Sequence, residues 1–189
     1  MSNREEQIKQ FLRLIRARTT ENKAALLVLM NANFYGVAFG LLRQEIDSLI
    51  KVAYLADNSD ARVRKHIRSL VSGERWRHET ERGKLVYVTD REMLDKSKSL
   101  IGWEKTVYEF GCKLIHLSEF HDYDNIDPIS TFFDDQVEEI IGYLKQYHEF
   151  EGESLDLNVL IEYLPNVMDK VCANTLGYVS ILENRFLSK

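Results

Sequence analysis

Residues 103–123 read WEKTVYEFGCKLIHLSEFHDY, and their apolar side chains recur at the spacing of an α-helix. Steps of four and three residues place six side chains on one stripe: Trp103, Val107, Phe110, Leu114, Leu117 and His121. An apolar stripe along one side of a helix predicts burial against other helices. We therefore expect this stretch to be a core helix that organises the packing of the chain.

The two histidines of this stretch do not converge. His116 and His121 are five residues apart, whereas two zinc-binding histidines on one helix need a separation of four, as in the HExxH motif. The segment from Asp122 lacks the glycine and the final glutamate of a calcium-binding loop. We expect no metal and no cofactor. His121 either ends the core stripe beside a polar neighbour or takes part in chemistry with Ser118, three residues before it.

The composition predicts an all-α fold. Only two prolines and nine glycines interrupt 189 residues, which leaves long runs between them. We expect a single domain over residues 1–189, built as an antiparallel helical bundle of about six helices. A small β-hairpin is expected as an insertion at 74–89, because Gly83 provides a turn and the next five residues, KLVYV, favour a strand. Thr89 followed by Glu92 predicts a capping box that begins the next helix.

Two helix boundaries can be placed by their capping residues, and two long helices by their apolar runs. A first amphipathic helix is expected to break at Thr19 and Thr20, either of which can cap the next helix. The largely apolar, proline-free run over 21–57 predicts one long buried helix. The Asp127–Pro128 pair predicts the start of a helix that continues to about residue 150, and a last long helix is expected over about 155–187.

One segment departs from the overall net charge of −5. Residues 62–84 contain eight Lys or Arg against three Glu, and they include an aromatic ring. Basic charge combined with an aromatic ring is typical of surfaces that follow phosphates and stack on bases. The alternative is a solvated helix face followed by an exposed hairpin. The candidate nucleic-acid-binding residues are Arg62, Arg64, Lys65, Arg68, Arg75, Trp76, Arg77 and Lys84.

The expected compartment is the cytoplasm. Cys112 and Cys172 are far apart and lie in apolar helical contexts, which predicts two buried thiols. The first ten residues, MSNREEQIKQ, carry charges where a signal peptide needs an apolar region. No stretch reaches the roughly 18 apolar residues of a membrane span, so we expect no association with membranes.

Two segments, LRQEIDSLIKVAYL (residues 42–55) and FGCKLIHLSEFHDY (residues 110–123), resemble patterns in bacterial helical proteins of the HEPN-like and abortive-infection groups. In those proteins an Arg with a following acidic residue on one long helix faces a Ser-x-x-His on another. Arg43, Asp47, Ser118 and His121 are the matching positions and the candidate catalytic residues. The resemblance implies a helical bundle, a homodimer and metal-independent RNA cleavage in active members. This chain departs from active HEPN ribonucleases, which space an Arg and a His four to six residues apart on one helix.

Three functions follow as hypotheses. The first is an interaction or nucleic-acid-associated protein of bacterial defence type, which uses the basic segment 62–84 to contact RNA or another nucleic acid. The second is a metal-independent ribonuclease, in which His121 acts as general acid or base and Arg43 stabilises the charge of the phosphorane. The third is a dimerisation module without catalysis. Arg43 and Asp47 form either a structural ion pair or part of a site.

Overall fold

The computed structural model describes residues 3–80, 82–115 and 125–188. In these ranges the chain forms seven α-helices and a two-stranded antiparallel hairpin, which confirms the predicted helical fold with a small β-hairpin. About six helices were expected. The elements are α1 (Asn3–Asn31), α2 (Tyr35–Ala56), α3 (Asp60–Val71), β1 (Arg77–Glu79), β2 (Leu85–Tyr87), α4 (Asp90–Lys96), α5 (Trp103–Ile115), α6 (Asp134–His148) and α7 (Leu157–Leu187).

The described residues group into two compact units. Unit 1 contains the described residues of Met1–Thr20, Asp47–Ile101 and Ala173–Lys189. Unit 2 contains the described residues of Glu21–Ile46 and Gly102–Cys172. The long helices α1, α2 and α7 each contribute residues to both units. The single domain expected from the sequence stays a prediction. Among the described residues, none of the helices combines the length and the apolar content that crossing a bilayer requires.

The expected break at Thr19 and Thr20 was wrong, because α1 runs through both residues. The Thr20 hydroxyl donates a hydrogen bond to the Arg16 carbonyl one turn earlier, at 2.9 Å. A threonine that satisfies its hydroxyl in this way is accommodated inside a helix. Thr19 is buried within the helix.

The chain turns instead at Asn33, inside the run that was expected to be one helix. Asn33 has a φ of 61°, in the left-handed region that asparagine tolerates better than most residues. The Phe34 amide closes this turn by donating to the Leu29 carbonyl at 2.9 Å. The predicted helix over 21–57 is therefore divided between the end of α1 and the whole of α2.

A buried polar pair joins α1 to α2 within unit 2. The Asn22 amide donates to the Glu45 carboxylate at 3.0 Å, and both side chains are almost completely buried. A buried carboxylate without donors would be costly, so this hydrogen bond fixes which residues of the two helices lie opposite each other. At the surface of the same unit, Lys23 forms an ion pair with Asp169 of α7 at 2.9 Å.

The predicted core stripe is confirmed over the described part of α5. Its residues Trp103, Val107, Phe110 and Leu114 are all buried. α5 is held to α6 by a hydrogen bond of 2.7 Å from the Thr106 hydroxyl to the Glu139 carboxylate. The remainder of the predicted helix, with Leu117 and His121, lies outside the described residues.

Asp127 caps a helical turn as predicted, but the helix expected there is shorter. The Asp127 carboxylate accepts a hydrogen bond from the Ile129 amide at 2.9 Å and starts a 3-10 turn, Pro128–Thr131. The chain then becomes extended at Phe132 and Phe133, so α6 begins only at Asp134. The same carboxylate accepts from the Leu157 amide at 3.2 Å, which places it at the start of α7 as well.

The cysteines are both free, but only one is fully buried. Burial, with the nearby negative charge of Glu45, raises the pKa of the Cys172 thiol to about 12. The expectation of two buried thiols was wrong for Cys112, which is half-buried. Its sulfur accepts a hydrogen bond from the Arg43 guanidinium, which provides a partly polar environment for this thiol.

Within unit 1, Arg185 of α7 caps the end of α2. Its guanidinium donates to the carbonyls of Ala56 at 3.1 Å and Asn58 at 2.8 Å, and to the Asp60 carboxylate at 2.8 Å. The last carbonyls of a helix lack partners inside the helix, and a cation there also complements the helix dipole. Arg185 therefore connects the end of α2, the start of α3 and α7.

We expect Arg185→Ala to lower the free energy of unfolding by about 1–2 kcal/mol, because carbonyls at the end of α2 lose their donors. Urea denaturation followed by far-UV circular dichroism measures the change. Arg91→Ala is the matched control, because Arg91 contacts Asp95 across one exposed turn of α4 and such pairs contribute less than about 0.5 kcal/mol. Equal losses in the two variants would contradict a capping role for Arg185.

Candidate nucleic-acid interface

The described residues of the basic segment 62–84 belong to α3, the loop after it, the first strand and the hairpin turn, and all lie in unit 1. The two strands pair in antiparallel register, with Arg77 opposite Tyr87 and Glu79 opposite Leu85. These four side chains are exposed, whereas His78 and Val86 point to the other, half-buried side. Because successive side chains of a strand point to opposite sides, the hairpin has an outward face and an inward face.

Trp76 anchors the hairpin instead of forming its exposed surface. Its side chain is only 6% exposed, and the indole N–H donates to the His66 carbonyl of α3 at 2.7 Å. The ring lies against the Tyr54 ring of α2, with centroids 6.2 Å apart, and against the imidazole of His66 at 4.7 Å. Its burial leaves too little surface to stack on a base, so the stacking role that the sequence suggested for Trp76 is not supported.

Tyr87 is the exposed aromatic residue that the sequence reasoning missed. Its side chain is 44% exposed on the outward face of the hairpin. The guanidinium carbons of Arg75 and Arg77 lie 4.3 Å and 4.7 Å from the ring centroid, and Arg77 also donates to the tyrosine hydroxyl at 2.8 Å. Successive side chains of a strand point to opposite faces, so Tyr87 points away from the inward-facing Val86 and the buried Val88. This alternation was the sequence signal that could have identified Tyr87.

A groove of about 600 Å³ lies beside this cluster; we call it the hairpin groove. Residues of α3, of the following loop and of both strands line it. They include Lys65, Ser69, Glu74, Arg75, Arg77 and Tyr87. Three basic side chains against one carboxylate give its lining a positive balance, which favours an anionic ligand.

The buried His66 contributes no positive charge to the groove at neutral pH. Burial, followed by the positive charges of Arg62 and Lys65, lowers the pKa of His66 from its ordinary value of 6.5 to about 4. The neutral imidazole suits its burial against the Tyr54 and Trp76 rings, because a buried charge without a partner would be costly. The charge of the groove therefore comes from lysine and arginine.

The other candidate residues of the basic segment lie elsewhere in unit 1. The guanidinium of the half-buried Arg64 lies over the Phe186 ring of α7, at 4.8 Å. Arg62 is exposed and donates to the Asn58 side chain at 3.0 Å, one turn earlier. Arg68 and Lys84 are exposed. The structure thus brings Lys65, Arg75 and Arg77 together at one groove, without the remaining candidates.

The candidate catalytic residues are only partly described. Arg43 donates from Nε to the Cys112 sulfur at 3.1 Å, and its guanidinium lies 4.1 Å from the centre of the Tyr108 ring. Asp47 is half-buried and lies one turn later on α2. Ser118 and His121 lie outside the described residues, so the suggested meeting of Arg43 with His121 stays a prediction.

No group of three or more His, Cys, Asp or Glu side chains within the ranges 3–80, 82–115 and 125–188 is arranged to hold a metal ion. Comparison of the chain with protein-family models, with curated proteins and with solved structures finds no match. The geometry of the hairpin groove and its charges are therefore what indicates a function.

We expect stability to fall as the pH drops from 6.5 towards 4. The pKa of His66 is lower in the folded protein than in the unfolded chain, so the unfolded chain takes up a proton that the folded state excludes. The lowered pKa of His66 contributes about 3 kcal/mol to the free energy of unfolding above pH 6.5. This contribution is lost as the pH approaches 4. Urea denaturation at pH values between about 4.5 and 7.5 measures the dependence.

His66→Phe is the comparison variant, because a phenyl ring keeps the ring contacts with Tyr54 and Trp76 but does not titrate. Its stability should depend less on pH than that of the parent protein. A smaller dependence should remain, because burial and the charge of Lys170 also lower the pKa of His148. An unchanged pH dependence in His66→Phe would contradict the assignment to His66.

Proposed function

We propose that this protein binds single-stranded nucleic acid at the hairpin groove. The observation that carries the proposal is the exposed Tyr87 ring with the guanidinium groups of Arg75 and Arg77 against it. Lys65 adds a further positive charge to the same groove. Lysine and arginine pair with phosphates, and an exposed aromatic ring stacks on bases of any sequence.

The chemistry of Tyr87 favours a single strand over a duplex. Stacking on the ring requires a base whose face is accessible, whereas the bases of a duplex are stacked on one another. Arginine is suited to this setting, because its planar guanidinium can lie against an aromatic ring and still donate to phosphate oxygens. A single strand can therefore place a base at Tyr87 and phosphates near Lys65.

The alternative role for the outward face is to stabilise the hairpin. An exposed cation–π contact contributes only about 0.5–1 kcal/mol. The inward side already holds the hairpin, through buried Trp76 and Val88 and through His78, whose Nδ1 lies 3.4 Å from the Glu92 carboxylate of α4. The fold of the hairpin therefore does not depend on the outward side chains, and a base that stacks on Tyr87 would take the place of one of the two guanidinium groups against its ring. Leu85, which is 63% exposed on the same face, is consistent with a binding role.

The cellular setting remains part of the proposal. We propose that the protein acts as a HEPN-like, nucleic-acid-associated protein of bacterial defence type and that it forms a homodimer. The helical fold and the basic groove are compatible with that setting. Cleavage of RNA by Arg43 and His121 stays a prediction, and the contacts of Arg43 include the Cys112 thiol and the Tyr108 ring.

We expect a fluorescently labelled single-stranded RNA of mixed sequence to bind with an affinity that falls steeply as salt rises. Arg77→Ala should weaken binding about tenfold and reduce the slope of log K against log [salt] by roughly 0.7, the value for one phosphate contact to a single strand. Fluorescence anisotropy over a salt series measures both quantities.

Arg13→Ala is the matched control, since Arg13 is exposed on α1 and lines a different groove of unit 1 with Glu183 and Leu187. This variant should bind RNA like the parent protein. The proposal fails if no RNA binds at low salt, if binding does not respond to salt, or if the two arginine variants weaken binding equally.

A further inference from the structure

The hairpin groove contains a carboxylate among its basic side chains. Glu74 lines the groove together with Lys65, Arg75 and Arg77, and its side chain is exposed. The Glu74 carboxylate makes no hydrogen bond or ion pair with any residue that the structure describes, although three cations line the same groove. An unpaired carboxylate works against the binding of phosphates, and it offers two acceptor oxygens to a ligand in the groove.

The backbone of Glu74 is held in place by the end of α3. The Gly73 amide donates to the Leu70 carbonyl at 3.0 Å, and the Glu74 amide donates to the Ser69 carbonyl at 2.7 Å. Together with the left-handed φ of 76° at Gly73, these hydrogen bonds form a Schellman motif. The backbone of Glu74 is therefore fixed beside Ser69, which also lines the groove.

A carboxylate accepts hydrogen bonds and donates none. In a groove that binds a single strand, it is suited to the edge of a base that presents donors, and it repels phosphates. Guanine presents two neighbouring donors, N1–H and the N2 amino group, which match the two oxygens of one carboxylate. Adenine and cytosine place an acceptor beside their amino group, and the single donor of uracil lies between two acceptors.

We infer that Glu74 selects guanine in the hairpin groove, by accepting hydrogen bonds from N1–H and from the N2 amino group. The inference rests on the proposed function and adds its base specificity. In this arrangement the guanine ring stacks against Tyr87, and the flanking phosphates lie towards Lys65 and Arg77. Glu74 is thus a specificity-determining residue, while the basic side chains provide affinity.

The test compares short RNAs that differ in one base. Oligouridines of about eight nucleotides, each with a central G, A, C or U, compete for the protein against a labelled oligouridine. A bidentate contact to a base edge contributes about 1–3 kcal/mol of discrimination, so we expect the G-containing strand to bind at least about fivefold more tightly than the A-containing one.

Two variants isolate the contribution of Glu74. Glu74→Gln replaces one acceptor by a donor, so the ratio of affinities for the G and A strands should fall to within about twofold, while oligouridine binding stays equal or increases. Glu79→Gln makes the same change on the outward face of β1 and should keep the preference for G. Because each ratio is taken within one protein, a loss of stability does not change it.

The outcomes separate the two proposals. If the unmodified protein binds none of the RNAs at low salt, the proposed function fails and the guanine preference fails with it. If all four RNAs bind equally, nucleic-acid binding stands and the guanine preference is wrong. If Glu74→Gln keeps the full preference for G, or if Glu79→Gln loses it, the assignment to Glu74 is overturned.

Discussion

The hydrogen bond from the Trp76 indole to the His66 carbonyl fixes the hairpin on α3. A hairpin with three-residue strands is not stable by itself, so its geometry depends on what anchors it. The buried cluster of the Tyr54, His66 and Trp76 rings supplies that anchor from three separate parts of the chain. The position of Tyr87 opposite Arg77 follows from the pairing of β1 with β2, which the Val88 amide extends by donating to the Trp76 carbonyl at 3.0 Å. The buried indole thus attaches to α3 the hairpin whose pairing presents Tyr87 on the outward face.

Features that depend on local pattern were predictable from the sequence. The stripe from Trp103 to Leu114 is buried because its spacing matches the period of a helix. The hairpin lies inside the expected window, and Thr89 caps α4 by accepting from the Glu92 amide at 3.1 Å, because turn and cap chemistry acts over a few residues. The bend at Asn33 was missed because asparagine permits the left-handed conformation but does not require it. The surrounding chain decides whether that conformation is adopted.

The candidate site was harder to predict because it depends on which side of a strand faces the core. The composition of 62–84 identified the basic segment, but composition does not distinguish a buried Trp76 from an exposed one. Tyr87 lies outside that segment and joins it only through the pairing of β1 with β2. The basic residues of the groove are those that α3, the following loop and β1 bring together, whereas Arg64 packs on Phe186. The strand pairing and the packing of Arg64 are tertiary contacts between distant residues. No single stretch of the sequence therefore predicts them.

The capping of α2 by Arg185 has a consequence for synthesis of the chain. Arg185 lies 125 residues after its partner Asp60, so the ribosome makes the end of α2 long before it makes the side chain that satisfies it. At about 5–20 residues per second, the interval is on the order of ten seconds. During that time the last carbonyls of α2 are hydrated by water, and the start of α3 lacks its link to α7. Unit 1 can therefore complete its fold only after the final turns of α7 have left the ribosome.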